Sequence, residues 1–452
     1  MPPTAASRAR ASSDTRRPPV ESMSVPARLL VIGALTASVL YLIWRWGFTL
    51  DGSALWVGVP LAGAETYALI MLLLLAVSCW ALSDRPQPAP LPGRRVAVLI
   101  ATYNEDEDVL RPTVVGALAI RHSPPPEVWV LDDGDRPWVR DMCAELGARH
   151  LVRPAPRTHA KAGNLNHALA HVDAEFLVTL DADHVPRPEL LERMLGYFRD
   201  RRLALVQSPQ VYYNQGFQHA GGGDDPLHHD QSVFFDAVCR GKDRHDSLFW
   251  CGCPSVLRRS ALMEVGGVNT MTVVEDLHTM MGMHARGWRS VYHPEIMALG
   301  LAPEEIGAFV VQRGRWARGC LQVLARDTPL LRRGLSLRQR IEYTTSCLHF
   351  LEGTQRLILF LAPVLVLGTG VVPVSAGPLM YAAIFLPQLV LTPLASRALT
   401  RGRYQIIETE RYSIVRMEAY AQALAAFVPG LKASFKVTPK GARDDRAVVK
   451  RA

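Results

Sequence analysis

Four long apolar runs frame a more polar central segment in this chain. Charged side chains are absent from residues 29–44, 66–82, 357–374 and 378–396. Each run is close to the ~20 residues that a helix needs to cross the hydrocarbon core of a bilayer. The pattern therefore predicts four membrane helices, arranged as one pair at residues 28–83 and another at residues 345–397.

Between the two pairs, short apolar runs are followed by stretches with helical periodicity. The predicted strands are residues 96–101, 128–131, 176–180 and 203–207, and the predicted helices are residues 106–120, 137–146, 161–171 and 188–199. Strands that alternate with helices favour a mostly parallel sheet covered on both faces. The predicted fold class is therefore α/β, with a mostly parallel sheet domain at residues 84–300 combined with an α-helical transmembrane region.

The remaining segments complete the predicted organisation. Residues 1–27 are rich in Ser, Pro, Ala and Arg, which predicts a disordered N-terminus. We expect amphipathic interface helices at residues 301–344 and an interfacial helix at residues 398–433, where apolar positions recur at helical spacing. A terminal segment follows at residues 434–452.

The arginines predict how the chain crosses the membrane. Basic side chains flank all four predicted spans on one side: Arg16, Arg17, Arg28, Arg85, Arg94, Arg95, Arg338, Arg340, Arg397, Arg401 and Arg403. The loops near residues 51–60 and 368–377 contain no Lys or Arg. The positive-inside rule then predicts a multi-pass protein of the inner or plasma membrane with the central segment, residues 84–339, in the cytoplasm. This topology accounts for the net charge of +8, and no basic stripe with interleaved aromatics predicts a nucleic-acid partner.

A pair of aspartates follows the third predicted strand, in FLVTLDADHVP at residues 176–186. Asp181 and Asp183 are two residues apart, so an extended chain projects them to the same side. Two carboxylates in this arrangement can share a hard divalent cation, which prefers oxygen ligands. An Asp-rich turn after a strand is the alternative interpretation.

Polar residues also follow the first two predicted strands. Thr102-Tyr103-Asn104-Glu105 ends the first strand, and Asp132-Asp133 ends the second. In parallel α/β sheets, ligands bind beyond the carboxyl ends of the strands, so three acidic strand ends predict one common site. Lys161 opens a helix near this rim and suits a diphosphate, although an ordinary solvated lysine would look the same. The glycine-rich signatures of dinucleotide-binding and P-loop sites are absent from the sequence.

Two later motifs carry candidate chemistry. Asp276 lies just before a predicted helix at residues 277–286, where it could be a helix cap or a functional carboxylate. Gln312, Arg315 and Trp316 are spaced i, i+3, i+4 and share one helix face. An amide, a guanidinium and an indole together suit a phosphate beside a flat apolar ligand. An amphipathic helix on the bilayer would explain the same residues.

Taken in order, the motifs TYNE, LDDG, HAKAGN, DADH, QSPQ, FWCGC, VED, QRGRW and FKVTPKG resemble those of the cellulose-synthase-like family 2 glycosyltransferases. These membrane enzymes extend β-linked polysaccharides from nucleotide sugars, and the resemblance spans residues 95–441. It implies a nucleotide-sugar-binding, glycosyltransferase A-type domain. It also implies a membrane-bound inverting transferase, cellulose-synthase-like, that moves a sugar, expected to be glucose, from a UDP-sugar to a growing β-linked polysaccharide. The alternative is a non-processive transferase that glycosylates a lipid or a short acceptor.

The resemblance also assigns residues to roles. For the nucleotide sugar it implies Thr102, Tyr103, Glu105, Asp132, Asp133, Lys161, Asp181, Gln312, Arg315 and Lys440. For a Mg or Mn ion it implies Asp181, Asp183 and His184, and for the acceptor Cys251, Gly252 and Trp316. Asp276, beside Glu275, matches the catalytic base, and Lys440 belongs to a gating loop within residues 434–452. The implied partners are the UDP-sugar donor, a glycan acceptor, the lipid bilayer, and an accessory export subunit or further copies of the chain.

Two other classes of function remain open at this point. A metal-dependent phosphohydrolase is suggested by Asp181 and Asp183 together with the triplet His228-His229-Asp230. A catalytically silent membrane scaffold would also carry the predicted spans.

Overall fold

The computed structural model describes residues 18–214 and 228–428. The strands are β1 (Val20–Ser22), β2 (Ala81–Ser83), β3 (Val96–Thr102), β4 (Glu127–Asp132), β5 (Arg149–Leu151), β6 (Phe176–Asp181), β7 (Val185–Pro186), β8 (Leu203–Gln207), β9 (Val211–Tyr212), β10 (Ser255–Arg258), β11 (Arg289–Tyr292) and β12 (Ala298–Gly300). The α-helices are α1 (Val25–Phe48), α2 (Leu55–Cys79), α3 (Glu107–Leu118), α4 (Pro137–Leu146), α5 (Ala160–Leu169), α6 (Leu190–Met194), α7 (Cys239–Arg244), α8 (Arg259–Glu264), α9 (Glu275–His284), α10 (Ile306–Arg326), α11 (Leu337–Leu348), α12 (Glu352–Thr369), α13 (Pro378–Leu399) and α14 (Ile406–Gln422). Lys440 and the predicted gating loop lie outside the described residues.

A seven-stranded sheet forms the centre of the domain, in the order β11-β8-β10-β6-β3-β4-β5. β10 is antiparallel to both of its neighbours, and the other pairs are parallel, which confirms the predicted mostly parallel sheet. Residues of β3 alternate between the two faces, with Leu99 in one apolar core beside α5 and α9 and Val98 in another beside α3 and α4. Both faces are therefore covered, as parallel sheets require.

The strand register brings the polar strand ends together. Ala101 of β3 pairs with Asp181 of β6, and Thr102 pairs with Asp132 of β4. Because these strands are parallel, their carboxyl ends meet at one edge of the sheet. The polar ends of β3, β4 and β6 therefore lie at one edge of the sheet, as predicted.

Among residues 18–214 and 228–428, four helical segments are long and apolar enough to cross a membrane: α1, α2, the continuous segment Leu337–Thr369 that contains α11 and α12, and α13. α1 packs against α2 and α13, while α12 packs against α2. Many of their apolar side chains face outward, and Leu367 and Leu379 are each 87% exposed. Such outward apolar faces suit hydrocarbon as the surrounding solvent.

The observed bounds of the second apolar helix differ from the predicted ones because a charged residue within it is paired with an opposite charge. α2 begins at Leu55, well before the predicted residue 66, and includes Glu65. Glu65 accepts hydrogen bonds from Tyr41 Oη at 2.8 Å and Arg45 Nε at 3.0 Å, so its charge does not interrupt the helix bundle. Residues 1–27 were expected to be disordered, but β1 lies within this segment and pairs antiparallel with β2.

The helix α14 lies within the predicted interfacial segment, and its polar face is the buried one. Arg416 is 8% exposed and donates to Glu352 Oε2 of α12 at 3.1 Å. On the opposite side, Ile407 is 77% exposed and Ile414 is 48% exposed. A helix that buries charges on protein and exposes isoleucines suits the surface of a bilayer.

A buried ion pair joins the sheet domain to the candidate membrane helices. Lys242 Nζ of α7 donates to the backbone oxygen of Glu342 at 2.8 Å and to its Oε2 at 3.1 Å, and Ser78 Oγ of α2 donates to the same carboxylate at 2.7 Å. The side chains of Lys242 and Glu342 are at most 1% exposed. This contact therefore fastens α2, α7 and α11 to one another.

The pair predicts a large effect on stability when one partner is removed. Lys242→Met leaves the Glu342 carboxylate buried without its cation, which costs about 3–5 kcal/mol in comparable pairs. We expect a clear fall in the thermal unfolding midpoint of the detergent-solubilised protein.

Two control variants separate this effect from general damage. Lys242→Met combined with Glu342→Leu removes both charges and should recover most of the midpoint, because no isolated charge stays buried. Arg95→Ala breaks a pair with Asp173 whose side chains are 65% and 83% exposed, and it should change little. A wild-type midpoint for Lys242→Met would contradict the anchoring role.

Candidate active site

A cavity of about 890 Å³ opens at the carboxyl edge of the sheet and extends toward the membrane helices. Fifteen predicted site residues line it: Thr102, Tyr103, Glu105, Asp133, Lys161, Asp181, Asp183, His184, Cys251, Gly252, Glu275, Asp276, Gln312, Arg315 and Trp316. A smaller cavity of about 550 Å³ adjoins it at the ends of β3 and β4. The structure thus brings together motifs that lie more than two hundred residues apart in sequence.

The acidic cluster at the end of β6 has the donor set of a cation site. The ligand atoms of Asp181, Asp183 and His184 lie within 4.8 Å of one another, and His184 Nδ1 is 3.2 Å from Asp183 Oδ1. Adjacent ligands of an octahedral Mg²⁺ or Mn²⁺ lie ~3 Å apart, because each bond is ~2.1 Å long. These residues therefore fit a hard divalent cation.

Gly300 on β12 determines where the His184 ring can lie. A Cβ atom at Gly300 would be 2.4 Å from His184 Nε2, closer than any side chain tolerates. The ring is 3% exposed, with Nε2 packed against this glycine and Nδ1 turned to Asp183. The absence of a side chain at Gly300 therefore keeps the imidazole beside the two aspartates.

Lys161 lies in the first turn of α5 and forms an ion pair with Asp181 Oδ1. Burial lowers the pKa of its ammonium, but the Asp181 and Glu275 carboxylates outweigh burial, so the pKa is raised above its usual value. The side chain therefore stays positively charged at the edge where an anionic ligand would bind.

Asp276 lies in the first turn of α9, slightly inside the helix rather than before it. Its Oδ1 accepts a hydrogen bond from the backbone nitrogen of Leu277 at 2.8 Å. Burial, followed by the neighbouring Glu275 carboxylate, raises the pKa of Asp276 to about 7, while Lys161 opposes the shift. A carboxylate with this pKa is well matched to accept a proton near neutral pH.

Gly252 separates Asp276 from Lys161 without filling the space between them. Its φ angle is +80°, a conformation that favours glycine, and a Cβ atom there would lie 3.5 Å from Asp276 Oδ2 and 4.0 Å from Lys161 Nζ. Its backbone oxygen accepts hydrogen bonds from Trp250 Nε1 at 2.6 Å and Ser255 Oγ at 2.8 Å. The loop is therefore held rigidly while its glycine leaves room for a ligand.

Cys251 precedes this glycine and lines the same cavity. Burial raises the pKa of the Cys251 thiol well above its ordinary value. The thiol therefore stays protonated, which does not favour a role as a nucleophile.

Asp132 lies beneath the rim and does not reach either cavity wall. Its carboxylate is fully buried and accepts from the backbone nitrogens of Gly134 and Arg136 and from Arg136 Nε. Asp133, one residue on, does line the cavity and receives two 2.7 Å hydrogen bonds from Arg153. Neither arginine was predicted from the sequence, because no motif links it to the aspartate that it neutralises.

Two family models match this chain. The glycosyl transferase family 2 model matches residues 97–266, and the cellulose synthase model matches residues 263–448. The cellulose synthase catalytic subunit (UDP-forming) of Pseudomonas fluorescens is 36% identical over 438 residues, which are 93% of this chain and 59% of that protein. Putative cellulose synthase 2 of Komagataeibacter xylinus is 36% identical over 91% of this chain and 28% of its own length.

Residues 97–448 thus carry a glycosyltransferase family 2 domain followed by a cellulose synthase domain. The chain spans less than two thirds of the length of these relatives. Among solved structures, a mannosyltransferase from Pyrobaculum calidifontis in complex with GDP-Man and Mn²⁺ matches with a TM-score of 0.54 and 17% identity, covering 86% of this chain and 99% of that one. This likeness confirms the predicted glycosyltransferase A-type fold.

In the structure, the triplet His228-His229-Asp230 contacts the helices α10 and α14. His228 Nε2 lies 3.3 Å from Glu408 Oε2 of α14, and Asp230 Oδ1 lies 2.7 Å from Arg313 Nη2 of α10. Within residues 18–214 and 228–428, the cluster that fits a metal is the Asp181 cluster, without the triplet. The phosphohydrolase interpretation thus loses the support of the triplet and keeps only that of Asp181 and Asp183.

The close approach of Gly300 predicts how a small substitution would affect metal binding. Gly300→Ala pushes the buried His184 ring away from Asp183, and displacing a ligand in this way typically costs 10–100-fold in metal affinity. We expect about a tenfold weaker affinity for Mn²⁺, measured by titration calorimetry on the purified protein. Gly307→Ala is the matched control, since a Cβ there meets no atom within 4 Å. Equal Mn²⁺ affinity in both variants would contradict the assignment of His184.

Proposed function

We propose that this chain is a membrane-bound inverting glycosyltransferase that transfers a sugar, expected to be glucose, from a UDP-sugar to a growing β-linked polysaccharide. The observation that carries the proposal is the cavity in which the acidic cluster, Lys161 and Asp276 meet around Gly252. An inverting transfer needs a base for the incoming hydroxyl and positive charge for the departing diphosphate, and it needs no protein nucleophile. The UDP-forming relatives support the choice of nucleotide.

The donor lies, in this proposal, along the carboxyl edge of the sheet. Tyr103 is 55% exposed at the rim and offers a ring face to the base, with Glu105 and Asp133 near the ribose and uracil. Lys161 and Arg315 approach the diphosphate as cations.

Asp181, Asp183 and His184 would hold the Mg or Mn ion. When bound, this ion neutralises charge that develops on the departing diphosphate.

The proton of the acceptor hydroxyl is removed on the acceptor side of the cavity. Asp276 Oδ2 takes the proton of the acceptor hydroxyl while that oxygen bonds to the anomeric carbon. The bond from the anomeric carbon to the phosphate oxygen breaks, and the UDP leaves with the electron pair. Trp316 and Cys251, which line the cavity, position the acceptor sugar.

The shape of the cavity favours a polymer over a short product. Beyond the catalytic residues, its lining continues along the membrane helices, including Tyr67 and Leu72 of α2, Gln355 of α12 and Thr392 of α13. A product that leaves the site in this direction enters the helix bundle, which suits a glycan that is extended and passed through the membrane. The arginine distribution supports a location in the inner or plasma membrane, with the catalytic domain on the cytoplasmic side. An accessory export subunit or further copies of the chain would complete the path.

A donor screen tests the function directly. The purified protein with Mg²⁺ or Mn²⁺ is incubated with UDP-glucose, UDP-N-acetylglucosamine or GDP-mannose, and release of UDP or GDP is measured. We expect UDP from UDP-glucose, and a long β-linked product in the linkage analysis. Short glycolipid products alone would favour the non-processive alternative, and nucleotide release without sugar transfer would contradict both.

Removal of the proposed base predicts a loss of turnover without a loss of donor binding. Asp276→Asn keeps the shape of the side chain and should lower kcat by about 10²–10⁴, the range for a general base. The dissociation constant for UDP should change by less than about threefold. Asp141→Asn, on the exposed side of α4, is the matched control and should leave kcat unchanged. Undiminished transfer by Asp276→Asn would show that the base is another residue.

The raised pKa of Asp276 predicts a pH profile. A base must be deprotonated to act, so kcat/KM should be highest above pH 7 and should fall as pH is lowered through about 7. An ordinary aspartate would produce this fall near pH 4 instead. Initial rates of UDP release between pH 5 and pH 9 measure the profile, and a flat profile down to pH 5 contradicts the role.

A further inference from the structure

One arginine of the QRGRW motif has no role in the predicted site, yet it is at the centre of the observed one. The Arg313 guanidinium donates two hydrogen bonds to the carboxylate of Asp230, from Nε at 3.0 Å and from Nη2 at 2.7 Å. The side chains of this pair are 2% and 1% exposed. Such a paired fork fixes the plane of the guanidinium, because both of its contacts are directional.

The fixed guanidinium also packs on the indole of Trp316. Its central carbon lies 4.2 Å from the ring centre of Trp316 and 4.7 Å from that of Phe309. At this distance the cation covers one face of the indole and leaves the other face for a ligand. Because Trp316 also lines the cavity, Arg313 limits which face of the ring is available there.

A third contact orients the neighbouring amide. Arg313 Nη1 donates to Gln312 Oε1 at 3.0 Å. A guanidinium has only donors, so it must face the amide oxygen rather than the amide nitrogen. The NH₂ group of Gln312 is then the end left for the cavity that this residue lines.

We propose that Arg313, held by Asp230, is a positioning residue that sets the donor-side amide of Gln312 and the acceptor-side ring of Trp316 together. The inference rests on the proposed function, since it assigns the Gln312 NH₂ group to an oxygen of the UDP diphosphate. An amide nitrogen donates to such an oxygen, whereas an amide oxygen would repel it. One buried arginine thereby fixes both the side chain that contacts the donor and the side chain that contacts the acceptor.

The test must separate this role from simple stabilisation by a buried ion pair. Asp230→Asn or Arg313→Met alone leaves an uncompensated partner, so either variant can fail to fold. The double variant Asp230→Asn/Arg313→Met leaves no buried charge and should unfold within a few degrees of the wild type. Thermal unfolding, titration calorimetry of UDP with Mn²⁺, and steady-state kinetics with UDP-glucose are measured on the full chain in detergent.

We expect the double variant to be folded, to bind UDP about tenfold more weakly, and to lose a further factor of about ten in kcat. A stable double variant with wild-type UDP affinity and kcat would overturn the inference, because the pair would then serve stability alone. If the wild-type protein itself binds no UDP, the proposed function fails, and that result differs from failure of this inference.

The orientation of the amide has a test of its own. Gln312→Glu still presents an oxygen to Arg313, but it places a second oxygen where the NH₂ group was. We expect it to weaken UDP binding at least tenfold more than Gln312→Ala does, while uridine, which lacks phosphates, binds both variants equally. Equal or tighter UDP binding by Gln312→Glu than by Gln312→Ala would show that the amide nitrogen does not face the diphosphate.

Discussion

The structure depends on how negative charge is balanced at the carboxyl edge of the sheet. The parallel register brings Asp132, Asp133 and Asp181 to one edge, and carboxylates this close cannot all remain ionised in a partly buried site without cations. Arg136 and Arg153 neutralise the first two, which lie beside or beneath the rim. Asp181 forms an ion pair with Lys161 and lies beside Asp183 and His184. The negative charge is therefore balanced by arginines at Asp132 and Asp133, whereas the cluster around Asp181 is suited to further positive charge.

Much of this arrangement could be predicted from the sequence, because it depends on local patterns. β3, β4, β6 and β8 are apolar runs of five to seven residues, and their polar ends follow directly in the chain. The strands β5, β10, β11 and β12 were not predicted, since three or four residues carry too little pattern. β10 is defined by pairing between two distant strands, and such pairing is a property of the folded sheet rather than of its own sequence.

The candidate site residues could be named from the sequence because they lie in local motifs. The residues that were not predicted take part in contacts between distant parts of the chain. Motifs such as DADH and QRGRW are contiguous, so their members can be named before the fold is known. The ion pair of Asp230 with Arg313 joins residues 83 positions apart, and hydropathy alone cannot reveal it. The same limit shortened the predicted second span, because Glu65 looks prohibitive until its partner Arg45 is seen.

The continuous helical segment Leu337–Thr369 has a mechanical consequence. Its first half is fastened to the catalytic domain through Glu342, and its second half is fastened to α14 through Glu352, beside the cavity. A continuous helical segment held at both of these points moves largely as one unit, because no loop separates its two halves. The cavity wall that this segment forms therefore has little freedom to move independently of the sheet domain, and the short 3₁₀ turn His349–Leu351 is where the segment can bend.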